Sequence, residues 1–445
     1  MGFYVFVQKK YRMRRLHEII KSKFSKGLGK DFLWTFVGQM LLMFILLVVN
    51  KILSNVLTID EFGKYNIIRR STSVMTFILL GGLGIAMPRY LSMSICKQHY
   101  RETQALLISS LLYLFVISIL FSTLYLFLYN QLVTFIIGSY DINFYILCLL
   151  YAISVALNSY AYAYYRGLGQ FKMFNICQII VQVFLLIPLF FCVKNLYLII
   201  CFWTCANYLF IIVQAFKEYK SYKQIIRNLK VNTTSILTQF GIISAYSFPR
   251  LIGDFFLFAC SAFPTIYIGK HLGLEQTSYY SIGVSLVTMV TPIYSFLGVV
   301  LLPVISKMIV KNQIMDANRL ILKLAAIYII LALFFTVVLF YLIEPLIKLL
   351  FAAKYLVGSG ICKIIVLSVL PQSMYLLFRN PNDAVSVFPF NSLILGISFI
   401  FMVFGFICFE TLFQYAYVYL GVSILQGILS MFIWFYLVYK KVRNV

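Results

Sequence analysis

The feature that most constrains this chain is a series of apolar runs, each close to 20 residues long, that recurs through most of the sequence. A run of that length crosses the hydrocarbon core of a bilayer as an α-helix. Lipid tolerates only helices or closed barrels, because every backbone polar group must be paired. We therefore predict an all-α polytopic membrane protein with about twelve transmembrane helices. The predicted spans are roughly 32–53, 72–95, 105–129, 142–164, 174–192, 196–216, 237–268, 279–303, 321–343, 361–379, 390–409 and 413–439.

Composition agrees with this fold class. The 445 residues are 62% hydrophobic and only 11% charged, and a mean hydropathy of +0.94 excludes an ordinary soluble protein. The net charge is +24, which in a soluble protein would suggest a nucleic-acid partner. Here the lysines and arginines fall mostly between the apolar runs, where they set orientation and meet anionic membrane lipids. We therefore expect lipid contacts and no nucleic acid.

The distribution of these basic residues predicts the topology. Alternate connections carry 26 lysines and arginines on one side of the membrane and 9 on the other. The positive-inside rule then places both termini in the cytoplasm. The cytoplasmic segments would be a basic N-terminal arm (1–31), a basic linker (217–236) and the C-terminus (440–445).

The two halves of the chain form a weak internal repeat. A shift of 215 residues places Gly38 on Gly253, and Pro88 on Pro303. The repeat predicts an N-lobe of six helices (32–216) and a C-lobe of six helices (237–439) in the same orientation. Parallel repeats of this kind are related by an axis along the membrane normal, and substrates bind between them. We expect a V-shaped exporter fold.

The sequence lacks the usual motifs for catalysis, phosphate binding and metal binding. There is no phosphate-binding Gly-x-x-x-x-Gly-Lys-Ser/Thr loop and no Asp-x-Asp pair, and the three histidines are far apart. Nine cysteines include no Cys-x-x-Cys pair, so neither a disulfide framework nor a zinc site is indicated. We predict no catalytic residues, no metal and no cofactor, and a protein that is not an enzyme.

Charges at membrane depth are the candidate site residues. Arg250 and Asp254 lie four residues apart in span 7, so they share a helix face and can touch. An ionisable group in the bilayer costs roughly 2.5–3.5 kcal/mol on insertion scales, so it usually faces a partner or an aqueous cavity. The pair is expected either to bind substrate or only to hold span 7 in place. Gln39 stands at the place of Asp254 in the first half, so the site is asymmetric.

Three more candidate site residues, Arg89, Arg379 and Asp383, lie near span ends. Arg89 follows Pro88, a residue that bends a helix and is tolerated beside a cavity, although the arginine could instead reach the interface. Arg379 and Asp383 are expected either to contact substrate or to close a helix end. Arg166, at the end of span 4, is interpreted as a topology charge.

The chain resembles O-antigen flippases of the Wzx type, which belong to the polysaccharide transporter branch of the multidrug/oligosaccharidyl-lipid/polysaccharide exporter superfamily. The first two spans carry this resemblance through LTIDEFGKYNI (57–67) and GGLG (81–84), ahead of Arg89. Span 8 resembles the family pattern through YSIG (280–283) and LPVIS (302–306). A subset of these flippases has segments similar to PRLIGD (249–254) and RNPNDA (379–384).

The resemblance implies a bacterial inner-membrane protein that moves an undecaprenyl-diphosphate-linked oligosaccharide from the cytoplasmic to the periplasmic leaflet. Two lobes would surround a cationic cavity and open it alternately to the two sides of the membrane. Transport would be coupled to an ion. Arg250 and Arg89 would contact the diphosphate, and Asp254 would hold Arg250 or exchange an ion. A polysaccharide polymerase and a chain-length regulator would be protein partners. The alternatives are a drug/cation antiporter, a lipid II flippase, and a membrane enzyme such as an O-antigen polymerase or ligase.

Overall fold

The computed structural model describes residues 28–96, 100–136, 141–191, 195–226, 232–310, 313–386 and 388–443, and these are almost entirely helical. The helices are α1 (Leu28–Val56), α2 (Ile59–Leu80), α3 (Leu83–Cys96), α4 (Tyr100–Phe127), α5 (Tyr129–Ile136), α6 (Ile142–Gly167), α7 (Phe171–Phe184), α8 (Ile187–Phe190), α9 (Leu196–Ile226), α10 (Thr233–His271), α11 (Leu274–Val310), α12 (Ile314–Tyr341), α13 (Ile343–Leu350), α14 (Ser359–Val366), α15 (Val369–Val385), α16 (Phe390–Cys408) and α17 (Leu412–Arg443).

The predicted fold class is confirmed, because a helix or a pair of helices occupies each predicted span. Among the described residues, nine helical segments are long and apolar enough to cross a membrane. The α14–α15 pair, bent by 44° and preceded by a 3-10 turn at Ala353–Gly358, makes a tenth. The long helices α10 and α11 have 39 and 37 residues and occupy predicted spans 7 and 8.

The helix boundaries confirm the six-plus-six repeat. Helix α1 ends at residue 56 and α10 at residue 271, and α2 begins at residue 59 and α11 at residue 274, so both pairs differ by 215. The starts of α4 and α12, at residues 100 and 314, differ by 214. The two lobes therefore share one sequence of helices, apart from local breaks.

The spans predicted at 32–53 and 72–95 leave the residues between them as a connection, and this prediction was wrong. Helix α2 begins at Ile59 with a capping box, in which Thr58 Oγ1 accepts from the backbone N–H of Glu61 at 3.2 Å and the Glu61 carboxylate accepts from the N–H of Thr58 at 3.0 Å. Charged residues interrupt the hydropathy of the first half of α2, which hid it from a search for apolar runs. Arg69 therefore lies about 15 Å along the helix rather than in a loop, at 1.5 Å per residue.

Other boundaries also differ from those predicted. Helix α9 continues to Ile226 and α10 begins at Thr233, so helix occupies most of the proposed linker 217–236. Helix α17 continues to Arg443, into the proposed C-terminal segment. Most of the proposed N-terminal arm, residues 1–27, lies outside the described residues.

Two glycines divide predicted span 2 into α2 and α3. Gly81 and Gly82 have φ values of 55° and 78°, in the left-handed region that favours glycine. A Cβ atom on Gly82 would lie 2.8 Å from the carbonyl oxygen of Ser247, so α10 passes too close for any side chain. After the break, α3 packs along α6 of its own lobe and contacts α10 of the opposite lobe.

The two lobes meet tightly at the end of the bundle where α1 ends and α2 begins, which we call the closed end. Ser278 Oγ donates to the carbonyl oxygen of Ile59 at 2.6 Å. A Cβ atom on Gly63 would lie only 2.0 Å from the carbonyl oxygen of Leu274, so α2 and α11 are in backbone contact. This glycine permits the close approach of the lobes.

Two lysines join the lobes reciprocally at the closed end. Lys51 Nζ donates to the carbonyl oxygen of Lys348 at 2.8 Å, at the C-terminal end of α13. Lys354 Nζ donates to the carbonyl oxygen of Leu57, just beyond the C-terminal end of α1. Helix C-termini carry unpaired carbonyls and partial negative charge, so each ammonium group stabilises a helix end in the other lobe.

Candidate functional site

A cavity of about 920 Å³ lies between the lobes. Its walls come from α1, α2, α6 and α7 of the first lobe and from α11 of the second. It extends from Asn50 and Arg69 to Thr35, Arg166 and Phe171, where α6 ends and α7 begins. The cavity therefore reaches the end of the bundle opposite to the closed end.

Three arginines line this cavity, and no acidic side chain of the described residues does. They are Arg69 and Arg70 on α2 and Arg166 on α6. No described carboxylate lies within ion-pair distance of any of them. Arginine remains charged inside proteins, so the described lining carries a formal charge of +3 that no described carboxylate balances.

The two arginines on α2 differ in their contacts. Arg70 Nη1 donates to Ser261 Oγ on α10 at 2.6 Å, which fixes the guanidinium group against the second lobe. The guanidinium group of Arg69 makes no hydrogen bond with any described residue, and the side chain is only partly buried. Arg69 is therefore the cation with the most donors left for a ligand, since a guanidinium group carries five N–H donors.

Arg166 has a structural contact as well as a place in the cavity. Its Nη2 atom donates to the carbonyl oxygen of Gly84 on α3 at 2.9 Å, and its guanidinium group lies 5.4 Å from the centre of the Phe174 ring. Its Nε atom is buried and has no partner among the described residues. The side chain thus joins α6, α3 and α7 at the mouth of the cavity.

The rest of the lining combines amides with apolar side chains. Gln39 Nε2 donates to Gln178 Oε1 at 3.0 Å, so an amide pair joins α1 to α7. Most of the remaining lining of α1 is apolar: Phe36, Met40, Leu42, Met43, Leu46 and Leu47. The cavity is therefore amphipathic, with cations on α2 and α6 and an apolar wall on α1.

The predicted pair Arg250 and Asp254 lies on α10, and an unbroken helix places the two residues about one turn apart. Their side chains lie outside the described residues. The backbone between them is packed against α16, because a Cβ atom on Gly253 would lie 2.1 Å from Ser392 Oγ. Their role in binding stays a prediction.

Arg89 lies in a contact between the lobes rather than in the cavity lining. Its Nη1 atom donates to the Tyr246 hydroxyl at 2.7 Å, and its guanidinium group lies 4.8 Å from the centre of that ring. The side chain is exposed on α3. Arg89 therefore connects α3 to α10 near the end of the bundle opposite to the closed end.

Arg379 and Asp383 both lie within α15, which continues to Val385, so neither residue ends the helix. Arg379 is partly buried, and its carbonyl oxygen accepts from Asn391 Nδ2 at 2.8 Å, whereas Asp383 is exposed. Neither residue lines the 920 Å³ cavity. The structure therefore does not bring these residues together with Arg69, Arg70 and Arg166 in one site.

Sequence reasoning missed the three cavity arginines. Arg69 and Arg70 were counted in a connection, and Arg166 was counted as a topology charge. A detectable signal was the Thr58-x-x-Glu61 capping box, which marks a helix N-terminus and would have placed both arginines inside a span. On the repeat they correspond to Val284 and Ser285, so the cations, like the predicted pair, are not duplicated.

Solved structures with the same fold are transporters. The chain is similar to an inward-facing multidrug resistance MATE family transporter of the MOP superfamily, with a TM-score of 0.68 at 12% identity, over 91% of this chain and 95% of that chain. A MOP superfamily transporter from Pyrococcus furiosus gives a TM-score of 0.64 at 11% identity, over 93% and 95%. At these identities the likeness shows the fold alone.

An outward-facing MATE family transporter gives a TM-score of 0.62 at 10% identity, over 94% of this chain and 97% of that chain. The comparison with curated proteins found no match. Residues 28–309 match the family model for polysaccharide biosynthesis proteins. That range is more than half of the chain and contains every residue that lines the cavity. The chain therefore belongs to the polysaccharide biosynthesis protein family and has the fold of MOP superfamily transporters.

Proposed function

We propose that this protein is a flippase for an undecaprenyl-diphosphate-linked oligosaccharide, a repeat unit of O-antigen, capsule or exopolysaccharide. It moves this lipid from the cytoplasmic to the periplasmic leaflet of the bacterial inner membrane. The observation that carries the proposal is the cavity that holds Arg69, Arg70 and Arg166 without any described carboxylate. The family match to polysaccharide biosynthesis proteins supports a glycan cargo.

The chemistry of the cavity fits such a lipid. A diphosphate is a compact dianion, and guanidinium groups bind phosphate oxygens through paired hydrogen bonds. Arg69 and Arg70 are adjacent on α2, so both can approach one diphosphate. The apolar wall of α1 then offers a surface for the first part of the isoprenoid chain. The rest of that chain would remain in the membrane.

The arrangement of the lobes supports a transport cycle with alternating access. The cavity reaches one end of the bundle, and the lobes are in contact at the closed end. On the topology predicted from basic residues, the cavity mouth faces the cytoplasm and the closed end faces the periplasm. Rocking of one lobe against the other would open the closed end and expose the cargo there.

The same cavity argues against a drug/cation antiporter. A cationic cargo needs carboxylates, and none of the described residues places one in the lining. A lipid II flippase would use similar phosphate contacts and differs in the head group it carries. The test must therefore separate these two lipid cargoes.

The experiment uses purified protein in liposomes. Undecaprenyl-diphosphate-linked oligosaccharide from a strain that lacks the flippase is placed in the membrane, and its exposure to an external sugar-specific enzyme is followed. The proposal predicts faster exposure with protein than in empty liposomes, and little transfer of lipid II. Transfer of lipid II alone would favour the lipid II alternative, and no transfer of either lipid would contradict the proposal.

A further inference from the structure

A second, smaller cavity of about 330 Å³ adjoins the first. It lies between α2, α6 and α10, and Arg69 lines both cavities. The guanidinium group proposed to hold phosphate is therefore also at the edge of a separate compartment. A group attached to a phosphate that Arg69 binds can therefore enter the smaller cavity.

The walls of the second cavity come from regular faces of three helices. Tyr151 and Ser159 lie eight residues apart on α6, which places them on one face two turns apart. Phe77 of α2 and Phe258 of α10 stack across the cavity wall, with ring centroids 4.9 Å apart and planes at 24°. The cavity thus has hydroxyl groups from α6 and α2 and a stacked pair of aromatic rings in its wall.

The two α6 hydroxyl groups that line this cavity have no hydrogen-bond partners in the part of the chain that the structure describes. Neither the Tyr151 hydroxyl nor Ser159 Oγ makes a hydrogen bond with a described residue, and both side chains are partly buried. Thr76 Oγ1 donates to the carbonyl oxygen of Ala152 at 3.3 Å and can still accept. Each of these groups can therefore bond to a ligand.

This chemistry suits a neutral, polyhydroxylated group. A second phosphate would call for more than the single cation at the edge, and a cationic group would call for a carboxylate, which the described lining does not contain. A purely apolar group would leave the hydroxyls unpaired, at a cost in binding. A sugar ring presents hydroxyls on its rim and apolar C–H surface on its faces, which matches the hydroxyl groups and the aromatic pair of this cavity.

We propose that the second cavity is a saccharide subsite, which binds a sugar of the lipid-linked oligosaccharide while Arg69 holds the adjacent phosphate. This assignment rests on the proposed function and adds to it the place of the sugar. It assigns Tyr151 and Ser159 as direct hydrogen-bonding contacts of the glycan, and Phe77 with Phe258 as the apolar wall.

The test compares two probes on the full-length protein in detergent or nanodiscs. One probe is undecaprenyl diphosphate, and the other is undecaprenyl diphosphate linked to N-acetylglucosamine. The variants are Tyr151→Phe and Ser159→Ala, each of which removes one hydroxyl and keeps the rest of the side chain. Tyr417→Phe is the matched control, because Tyr417 is 58% exposed on α17. Dissociation constants for both probes are measured by native mass spectrometry or fluorescence.

The subsite predicts that each variant weakens binding of the glycosylated lipid by about two- to tenfold, the value of one hydrogen bond. Binding of undecaprenyl diphosphate should not change, and Tyr417→Phe should bind both lipids as the parent does. Equal losses for both lipids, or no loss for either, would overturn the subsite. If the parent protein binds neither lipid, the proposed function itself fails, which is a different outcome.

Discussion

Arg166 supplies the hydrogen bond that Pro88 withholds from Gly84. In an α-helix the N–H of residue 88 would donate to the carbonyl oxygen of residue 84, but proline has no N–H. Arg166 Nη2 donates to that oxygen instead, at 2.9 Å. The arginine of α6 therefore stabilises a proline-containing helix of the same lobe, and its remaining donors lie at the cavity mouth.

This relationship predicts a measurable coupling between the two positions. Arg166→Met should lower the free energy of unfolding by about 1–3 kcal/mol, because the Gly84 carbonyl loses its donor. In a Pro88→Ala background the loss should be smaller, since the backbone N–H of the introduced alanine donates to Gly84 itself. Thermal unfolding of the four proteins in detergent gives the double-mutant cycle. Equal losses in both backgrounds would show that Arg166 does not act through Gly84.

Lys51 and Lys354 should stabilise the arrangement in which the lobes are in contact at the closed end, relative to one in which that end is open. Replacing Lys51 and Lys354 together with methionine removes two ammonium groups that hold helix ends of the opposite lobe. The distance between spin labels at residues 55 and 357, both exposed, should then shift toward longer values in double electron–electron resonance. Lys441→Met, at the exposed end of α17, is the control. An unchanged distance distribution would mean that the lysines do not hold the closed end.

The glycine at the closed end offers a matched pair of substitutions. Gly63→Ala places a Cβ atom 2.0 Å from the carbonyl oxygen of Leu274, so α2 and α11 must separate. Gly241→Ala meets no atom within 4 Å, and alanine is favoured over glycine in a helix by roughly 1 kcal/mol. We expect Gly63→Ala to lower thermal stability and transport, and Gly241→Ala to leave both unchanged or to raise stability. Similar behaviour of the two variants would contradict the close packing.

Much of the fold was predictable from the sequence, because hydropathy follows directly from the lipid environment. Helix occupies most of the described residues in each of the twelve predicted spans, and the 215-residue repeat recurs in the helix boundaries. The site was harder to predict. A search for apolar runs ends a span where charged residues occur, so Arg69 and Arg70 were assigned to a loop. The helix that contains both arginines begins earlier, at the capping box of Thr58 and Glu61.

Arg166 was missed for a different reason. A basic residue near a span end is usually a topology charge, and nothing in the sequence marks its contact with an α3 carbonyl 82 positions away. Pro88 was noted as a residue that bends a helix. Which side chain donates to the carbonyl oxygen that the proline leaves without a donor depends on packing between helices. Such packing cannot be predicted from one span at a time.

The coupling of transport to an ion gradient can be tested at the predicted pair on α10, Arg250 and Asp254. If Asp254 exchanges an ion, Asp254→Asn should make transport in liposomes independent of the ion gradient, whereas Arg250→Ala should weaken cargo binding. If Arg250 and Asp254 only neutralise each other's charge, the double variant Arg250→Ala with Asp254→Ala should lose less transport activity than either single variant. Transport at the full rate by the parent protein without any gradient would exclude the coupling role.

The central claim is that cavity arginines carry an anionic lipid, and Arg69 tests it most directly because its guanidinium group bonds to no described residue. We expect Arg69→Gln to slow transfer of the undecaprenyl-diphosphate-linked oligosaccharide in liposomes by about tenfold or more, the value of a charge-assisted hydrogen bond. The transfer rate of Arg69→Lys should fall between those of the parent and of Arg69→Gln, since an ammonium group keeps the charge but cannot form the paired hydrogen bonds of a guanidinium group.

Arg319→Gln is the matched control, because Arg319 is exposed and pairs with Asp316 at 3.5 Å away from the cavity. The decisive measurement is the initial transfer rate of the parent, Arg69→Gln and Arg319→Gln proteins at equal amounts in the membrane. We expect a large loss of rate for Arg69→Gln and a rate close to that of the parent for Arg319→Gln. Transfer by Arg69→Gln at the parental rate would contradict the role of Arg69 in binding the anionic lipid.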